Sequence, residues 1–146
     1  MAKIIIVDID GTIANMQKDE PGKRGPYDWD RVGEDLPHKD IIQLVKMFHY
    51  SSHKIVFMTG RDESCRAITK RWLIKYLGFI GQQAPLYMRP EGDRTPDTDM
   101  KLKTLQQHLK DHPKDEIYMA IDDRNSVVKL WRDEGIRCLQ VAEGNF

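Results

Sequence analysis

Cysteine is scarce in this chain. Cys65 and Cys138 stand alone among 146 residues, with no C-x-x-C spacing and no Cys/His quartet, so neither a structural zinc site nor a disulfide framework is expected. Both thiols read as small buried residues. Long apolar runs are also missing: Ile4 to Val7 is the longest near the start, far too short for a signal-peptide core or a membrane span. No excess of one charge exists either, because 23 Lys and Arg balance 23 Asp and Glu. That balance excludes the diffusely basic, histone-like binders of nucleic acid while leaving a local basic face open. The chain has no G-x-x-x-x-G-K-[ST] loop, no internal repeat and no low-complexity tract. Its five histidines, at 38, 49, 53, 108 and 112, do not cluster with one another in the sequence or with the acidic motifs, and are assigned no chemistry.

What is present suits one folded domain over residues 1–146. Hydrophobic residues make up 40% and charged residues 32%, enough apolar matter for a core. Lys3-Ile-Ile-Ile-Val-Asp-Ile9 is a β-branched run ending in an acidic, glycine-containing turn, as a buried parallel strand should be. Residues 10–37 are polar and broken by Pro21, Gly22, Gly25, Pro26 and Gly33, yet carry Tyr27 and Trp29. This interval reads as a folded flap or loop insert. Ile41, Leu44, Val45 and Phe48 then fall at helical spacing, and Lys54 to Thr59 reads as a second strand closed by Gly60.

Cys65, Ile68, Trp72 and Tyr76 mark a second helix, stopped by Gly78. Leu86 to Met88 is a short strand, Leu102, Leu105 and Leu109 a helical face, and Ile117 to Asp122 a strand ending in carboxylates. Val127, Val128 and Trp131 mark a last helix stopped by Gly135, and Arg137 to Val141 a last strand. This alternation predicts an α/β fold, a doubly wound Rossmann-like parallel sheet of about five strands without a large cap domain. Ligands of such sheets bind outside the carboxyl ends of the strands, where the strand order reverses. Asp8, Asp10, Thr59, Asp122 and Asp123 stand at those ends.

Two carboxylates two residues apart, met by an Asp-Asp pair from another strand, repel unless protons or a cation neutralise them. A hard divalent metal with oxygen ligands is the natural solution, and Mg²⁺ takes one or two carboxylates plus a phosphate. Each acidic pair alone has an ordinary explanation as a helix cap or loop lining. Their conjunction is more informative. Asp-x-Asp-Gly-Thr after the first strand, Thr-Gly-Arg after the second, a lysine opening a later helix and Asp-Asp after a further strand resemble, in order and context, the four motifs of the haloacid dehalogenase (HAD) superfamily of aspartate-nucleophile phosphotransferases.

The resemblance implies Asp8 as the nucleophile that forms an aspartyl-phosphate and Asp10 as the general acid and base. It implies Thr59 and Lys101 as holders of phosphoryl oxygens, and Asp8, Asp10 through its carbonyl, Asp122 and Asp123 as the Mg²⁺ site. Lys103 competes with Lys101 for the lysine role. Gly11, Thr12 and Gly60, inside the motifs, fall to substrate binding.

The flanking segments Arg24-Gly-Pro-Tyr-Asp28, Arg89-Pro-Glu-Gly-Asp93, Asp122-Asp-Arg124 and Gln140-Val-Ala-Glu-Gly-Asn-Phe146 are similar to the 3′-phosphatase domain of phage polynucleotide kinase-phosphatases. That similarity implies a polynucleotide 3′-phosphatase acting on DNA or RNA ends in end healing, in the cytoplasm of a bacterial or phage-infected cell, with a separate 5′-kinase and ligase as functional partners. Arg61 first, then Arg24, Arg89 and Arg124, are the expected grips on substrate phosphate. Two other readings stay open: a HAD phosphatase of nucleotides or other small monoesters, and a receiver-like signalling module. Asp10 separates the last, since a receiver has no need of a general acid two residues after its phosphorylated aspartate.

Overall fold

Every side chain of the opening β-branched run is sheet-facing on one side or the other, and this decides the architecture. The computed structural model describes residues 2–17 and 20–146, so part of the predicted 10–37 insert, residues 18 and 19, lies outside the described residues. Strand β1 (Lys3–Val7) buries Ile4 to Val7 almost completely. Ile5 and Val7 point to one core layer and Ile4 and Ile6 to the other, as the two-residue period of a strand requires. Each such side chain contributes roughly 1.5–3 kcal/mol by leaving water.

Four more parallel strands flank it: β4 (Lys54–Asp62), β5 (Leu86–Arg89), β6 (Glu116–Asp122) and β7 (Cys138–Gln140), in the order β5-β4-β1-β6-β7. The chain runs outward from β1 to one edge, returns, and runs outward to the other. β1 is therefore the switch point, with β4 and β6 as its neighbours. Helices α1 (Lys39–Tyr50) and α2 (Arg66–Leu77) cover one face through Ile42, Val45, Trp72 and Leu73. The helices α4 (Asp97–Asp111) and α5 (Asn125–Asp133) cover the other through Leu105, Val127, Val128 and Trp131. Both cysteines are buried, and burial pushes the Cys138 thiol up to about 12, leaving it unreactive.

Three local features differ from the sequence expectation. β4 continues past Thr59 through Arg61 to Asp62, and its pairing with β5 shifts between Met58 and Asp62, because the Arg61 side chain turns into the protein and keeps its backbone extended. A short helix α3 (Phe79–Gln83) follows α2, too brief to show a period. Within the 10–37 interval, two-residue strands β2 (Ala14–Asn15) and β3 (Leu36–Pro37) pair antiparallel, and a 3₁₀ turn spans Trp29–Glu34. That pairing returns the chain to the carboxyl end of β1. The two long connections add no second layered domain over it.

Candidate active site

The carboxyl ends of β1, β4 and β6 open into a cavity of about 890 Å³ lined by Asp8, Asp10, Thr59, Gly60, Lys101, Asp122 and Asp123 among others. Asp8, Asp122 and Asp123 are buried with ligand oxygens within 4.8 Å of one another. Two elements hold them there. Lys101 on α4 donates to Asp8 Oδ1 at 2.9 Å and to Asp122 Oδ2 at 3.0 Å. Asp122 Oδ1 takes the backbone amides of Asp123 and Arg124 at 2.9 and 3.2 Å.

Burial and the Asp122 charge hold the Asp8 carboxyl well above the usual carboxylate range, against the pull of Lys101. Asp123 is raised by the same two causes. For Lys101, burial acts downward, but the charges of Asp122 and Asp8 reverse it and keep the ammonium firmly protonated. Three carboxylates thus face a single buried ammonium. A compact set of hard oxygen donors with uncompensated negative charge fits a small divalent cation, held by Asp8, Asp122 and Asp123. Lys103, the competing lysine, is exposed.

Asp10 is held from the opposite side by a separate cluster. Its Oδ1 accepts from Arg24 Nη2 at 3.0 Å and from Arg61 Nη2 at 2.8 Å. Both guanidinium groups also bind Asp35, Arg24 twice at 2.8 Å and Arg61 at 3.0 Å. Arg61 Nη1 donates to Thr69 Oγ1 at 3.1 Å. The two arginines and Asp35 have side chains no more than 1% exposed, whereas Asp10 is 27% exposed and lines the cavity. Two guanidinium groups therefore share two carboxyl groups, and the open face of Asp10 is left for the cavity.

Four residues expected at the substrate lie elsewhere. Gly11, Thr12, Arg24 and Arg61 are absent from the cavity lining. Gly11 has φ +81°, and a Cβ there would sit 2.0 Å from Asp123 Oδ2, so a side chain is excluded by both torsion and space. Thr12 donates to Asp8 Oδ2 at 3.0 Å. Arg24 and Arg61 act on Asp10, because burying them without a carboxylate partner would be too unfavourable. Thr59 and Gly60 do line the cavity, and the Thr59 hydroxyl oxygen accepts the Arg61 amide at 3.1 Å.

Arg89 also lines it, with Nε on the Gly60 carbonyl at 3.1 Å and further bonds to the Thr95 carbonyl and Asp97. Asp97 takes Arg124 Nη1 at 2.8 Å as well. Asp35 and Asp97 were missed in the sequence. Asp97 looks like an ordinary acidic first turn of a helix, and Asp35 lies within a polar loop that only the β2–β3 pairing brings to Asp10.

The Arg24–Asp35 pair gives a direct test of this support. Asp35→Ala is expected to lower stability by about 3–5 kcal/mol, the range for removing one partner of a buried ion pair. Chemical denaturation with an unchanged m-value would measure it, and a loss under about 1 kcal/mol would contradict the support assigned to the buried Arg24–Asp35 pair.

The same fold recurs in known proteins, some of them similar in sequence over most of this chain. Residues 2–146 match the family model described as the polynucleotide kinase PNKP phosphatase domain. A putative bifunctional polynucleotide kinase/RNA ligase of Autographa californica nuclear polyhedrosis virus is 35% identical over 133 residues, covering 90% of this chain and 18% of that protein. A solved structure of the Pnkp1/Rnl/Hen1 RNA repair complex superposes with a TM-score of 0.87 at 30% identity, over 99% of this chain and 44% of its counterpart. This chain thus spans only part of the length of both. A class C acid phosphatase of Bacillus anthracis shares the fold alone, with a TM-score of 0.68 at 15% identity, over 100% of this chain and 69% of that one. With the paired aspartates at β1 and the Asp122–Asp123 pair at β6 set in that frame, the chain belongs to the polynucleotide kinase PNKP phosphatase-domain family, a branch of the HAD phosphatases.

Proposed function

We propose that this phosphatase removes 3′-phosphates from polynucleotide ends through an aspartyl-phosphate on Asp8, with Mg²⁺ as its metal. The carrying observation is that Asp8 and Asp10 open onto one cavity while their far sides are fixed by separate supports. Lys101 and Thr12 hold Asp8, and Arg24 and Arg61 hold Asp10. An Asp8 oxygen attacks phosphorus and the ester P–O bond breaks, with the leaving oxygen taking the proton of Asp10. Asp10 then accepts a proton from water as the water oxygen attacks phosphorus, the P–O bond to Asp8 breaks and inorganic phosphate leaves.

Lys101 and the Thr59 hydroxyl hold the phosphoryl oxygens as charge builds on them. Asp8, the Asp10 carbonyl, Asp122 and Asp123 would bind Mg²⁺, which supplies Lewis-acid stabilisation of the phosphoryl charge. Substrate class rests on family membership and on a site without a cap domain, which a polymer end enters freely. The viral relative and the repair complex, named for polynucleotide kinase, RNA ligase and RNA repair, support an end-healing role alongside kinase and ligase activities, and the reading sets that role in the cytoplasm. No helix among the described residues is long and apolar enough to cross a membrane.

Phosphate release from an oligonucleotide 3′-phosphate tests this reading. The 3′-phosphate is expected to be hydrolysed with a higher kcat/KM than either a nucleoside 3′-monophosphate or the same oligonucleotide carrying a 5′-phosphate. Chelation should abolish turnover, and Ca²⁺ should inhibit by letting the nucleophilic carboxylate engage the metal through both oxygens. Equal rates on polymer and mononucleotide at low salt would favour a small-monoester phosphatase. Full activity after exhaustive metal removal would contradict the metal assignment, and a persistent acyl-phosphate without phosphate release would point to signalling.

A further inference from the structure

The cavity is larger than a phosphate monoester needs, and its outer walls carry groups that the chemistry does not use. At about 890 Å³ it lies near the top of the ~300–1,000 Å³ range of small-molecule sites. Of the arginines on its wall, Arg89 is bound to Asp97, to the Thr95 carbonyl and to the Gly60 carbonyl. Arg124 is bound to Asp97 and to the Phe146 carbonyl. Arg24 and Arg61 are off the wall and held by Asp10 and Asp35.

Arg94 differs from all of them. It lines the same cavity, is exposed, and makes no ion pair or side-chain hydrogen bond with any described residue. The neighbouring carboxylate does not serve it, because Asp93 Oδ1 takes the amide and hydroxyl of Thr95 at 2.7 and 2.6 Å. The flap side of the cavity presents Tyr27, 81% exposed, and Trp29, whose ring meets the tyrosine edge to face at 5.9 Å. An exposed aromatic, oriented by a second ring on the wall of a site, is a surface on which a base can stack.

Resting on the 3′-phosphatase reading, we propose that Arg94 and Tyr27 form a subsite for the penultimate nucleotide of the strand. Arg94 receives the phosphodiester nearest the scissile end group, and the Tyr27 ring receives the base of that nucleotide. Trp29 is a positioning residue that holds the ring. Two consequences distinguish this from a general electrostatic attraction. The benefit appears when the substrate gains its second nucleotide, and the base and the phosphodiester contribute through different side chains.

Steady-state hydrolysis of a nucleoside 3′-monophosphate and of a dinucleotide with a 3′-phosphate reads the subsite as the ratio of their kcat/KM values. Arg94→Ala should lower the dinucleotide-to-mononucleotide ratio about tenfold, the lower range for a hydrogen-bonded charge contact at an exposed position. It should also flatten the log–log salt dependence of the dinucleotide reaction by about 0.7, one single-strand phosphate contact. Tyr27→Ala should lower the ratio about fivefold, the low end for one stacked base, while Tyr27→Phe keeps it. A dinucleotide abasic at the penultimate position should be insensitive to Tyr27→Ala yet sensitive to Arg94→Ala.

Wild-type protein that shows no preference for the dinucleotide overturns the 3′-end reading, and the subsite with it. A wild-type preference that survives both Arg94→Ala and Tyr27→Ala overturns the subsite alone. Equal loss on both substrates assigns Arg94 to the end group instead and likewise overturns it.

Discussion

Asp8→Asn protein is expected to keep less than about 1% of wild-type kcat on an aryl phosphate, against the large losses that follow removal of a nucleophile. The amide is a poor nucleophile, and with no bond formed to phosphorus the proton of Asp10 has no developing leaving group to meet. An aryl phosphate is the right substrate because it asks nothing of the outer cavity walls. Folding should survive the change. The substituted side chain keeps one carbonyl oxygen for Lys101, and the Thr12 hydroxyl, which in the wild type donates to Asp8 Oδ2 at 3.0 Å, turns to accept from the new amide. Making residue 8 neutral removes the burial cost and the repulsion from Asp122 and Asp123 that now raise the Asp8 carboxyl, so a melting temperature at or above wild type is expected. Residual turnover above about 1% in such a folded protein would remove Asp8 from its role.

Lys101→Met should affect activity and stability together. Methionine fills similar space but leaves Asp8, Asp122 and Asp123 without their buried counter-charge, where the lysine side chain is now 3% exposed. Breaking a buried ion pair from one side typically costs about 3–5 kcal/mol. Near 150 residues that corresponds to a fall in melting temperature on the order of 10 °C. Turnover should fall roughly 10²–10³-fold, as when one preorganised donor to a charged transition state is lost.

The pH dependence has a defined sign. Burial and neighbouring charge already raise Asp8 and Asp123 in the folded protein, so the native state holds their protons more tightly than the unfolded chain. Stability from these groups is present below the unfolded value of about 3.9 and is lost as pH rises through their folded values. Without Lys101 those values rise further. Melts of both proteins at pH 5 and pH 8 should show a larger deficit for the variant at pH 8, and a saturating divalent cation should recover part of it. A deficit larger at pH 5 would contradict the charge arrangement.

Much of the fold was legible because the two periods in the chain are clean. Ile4 to Val7 could only be a strand buried on both faces, and the βα alternation placed Asp8, Thr59 and Asp122 at the switch point. Helix α4 was read less well. Leu102, Leu105 and Leu109 suggested its buried face, whereas Met100, Lys101, Leu105 and His108 are its buried residues. A lysine that turns inward toward carboxylates cannot register in a hydrophobic pattern. His108, fully buried, is satisfied by Tyr87 at 2.7 Å and Asp115 at 2.9 Å.

The contacts of two arginines were illegible for a related reason. Arg24 and Arg61 stand beside catalytic motifs, and proximity in the chain suggested contact with substrate, but their carboxylate partner Asp35 is 11 and 26 residues away. Such a four-residue cluster forms only in three dimensions. No local spacing announces it.

The two termini of the described fold differ as attachment points for reporters and tethers. Phe146 lies on the cavity rim, its carbonyl accepting from Arg124 Nε at 2.9 Å and its ring 5.4 Å from the guanidinium carbon. Ala2 precedes β1 at the amino edge of the sheet, and its carbonyl accepts the Glu116 amide at 2.9 Å. The five residues of β1 separate that edge from the site, about 17 Å at the rise of an extended strand. A fluorophore or second protein tethered after residue 146 therefore begins its path at the cavity rim, and its linker length should change turnover on bulky substrates. The same cargo tethered ahead of residue 2 begins a full strand length away, with the sheet between it and the substrate.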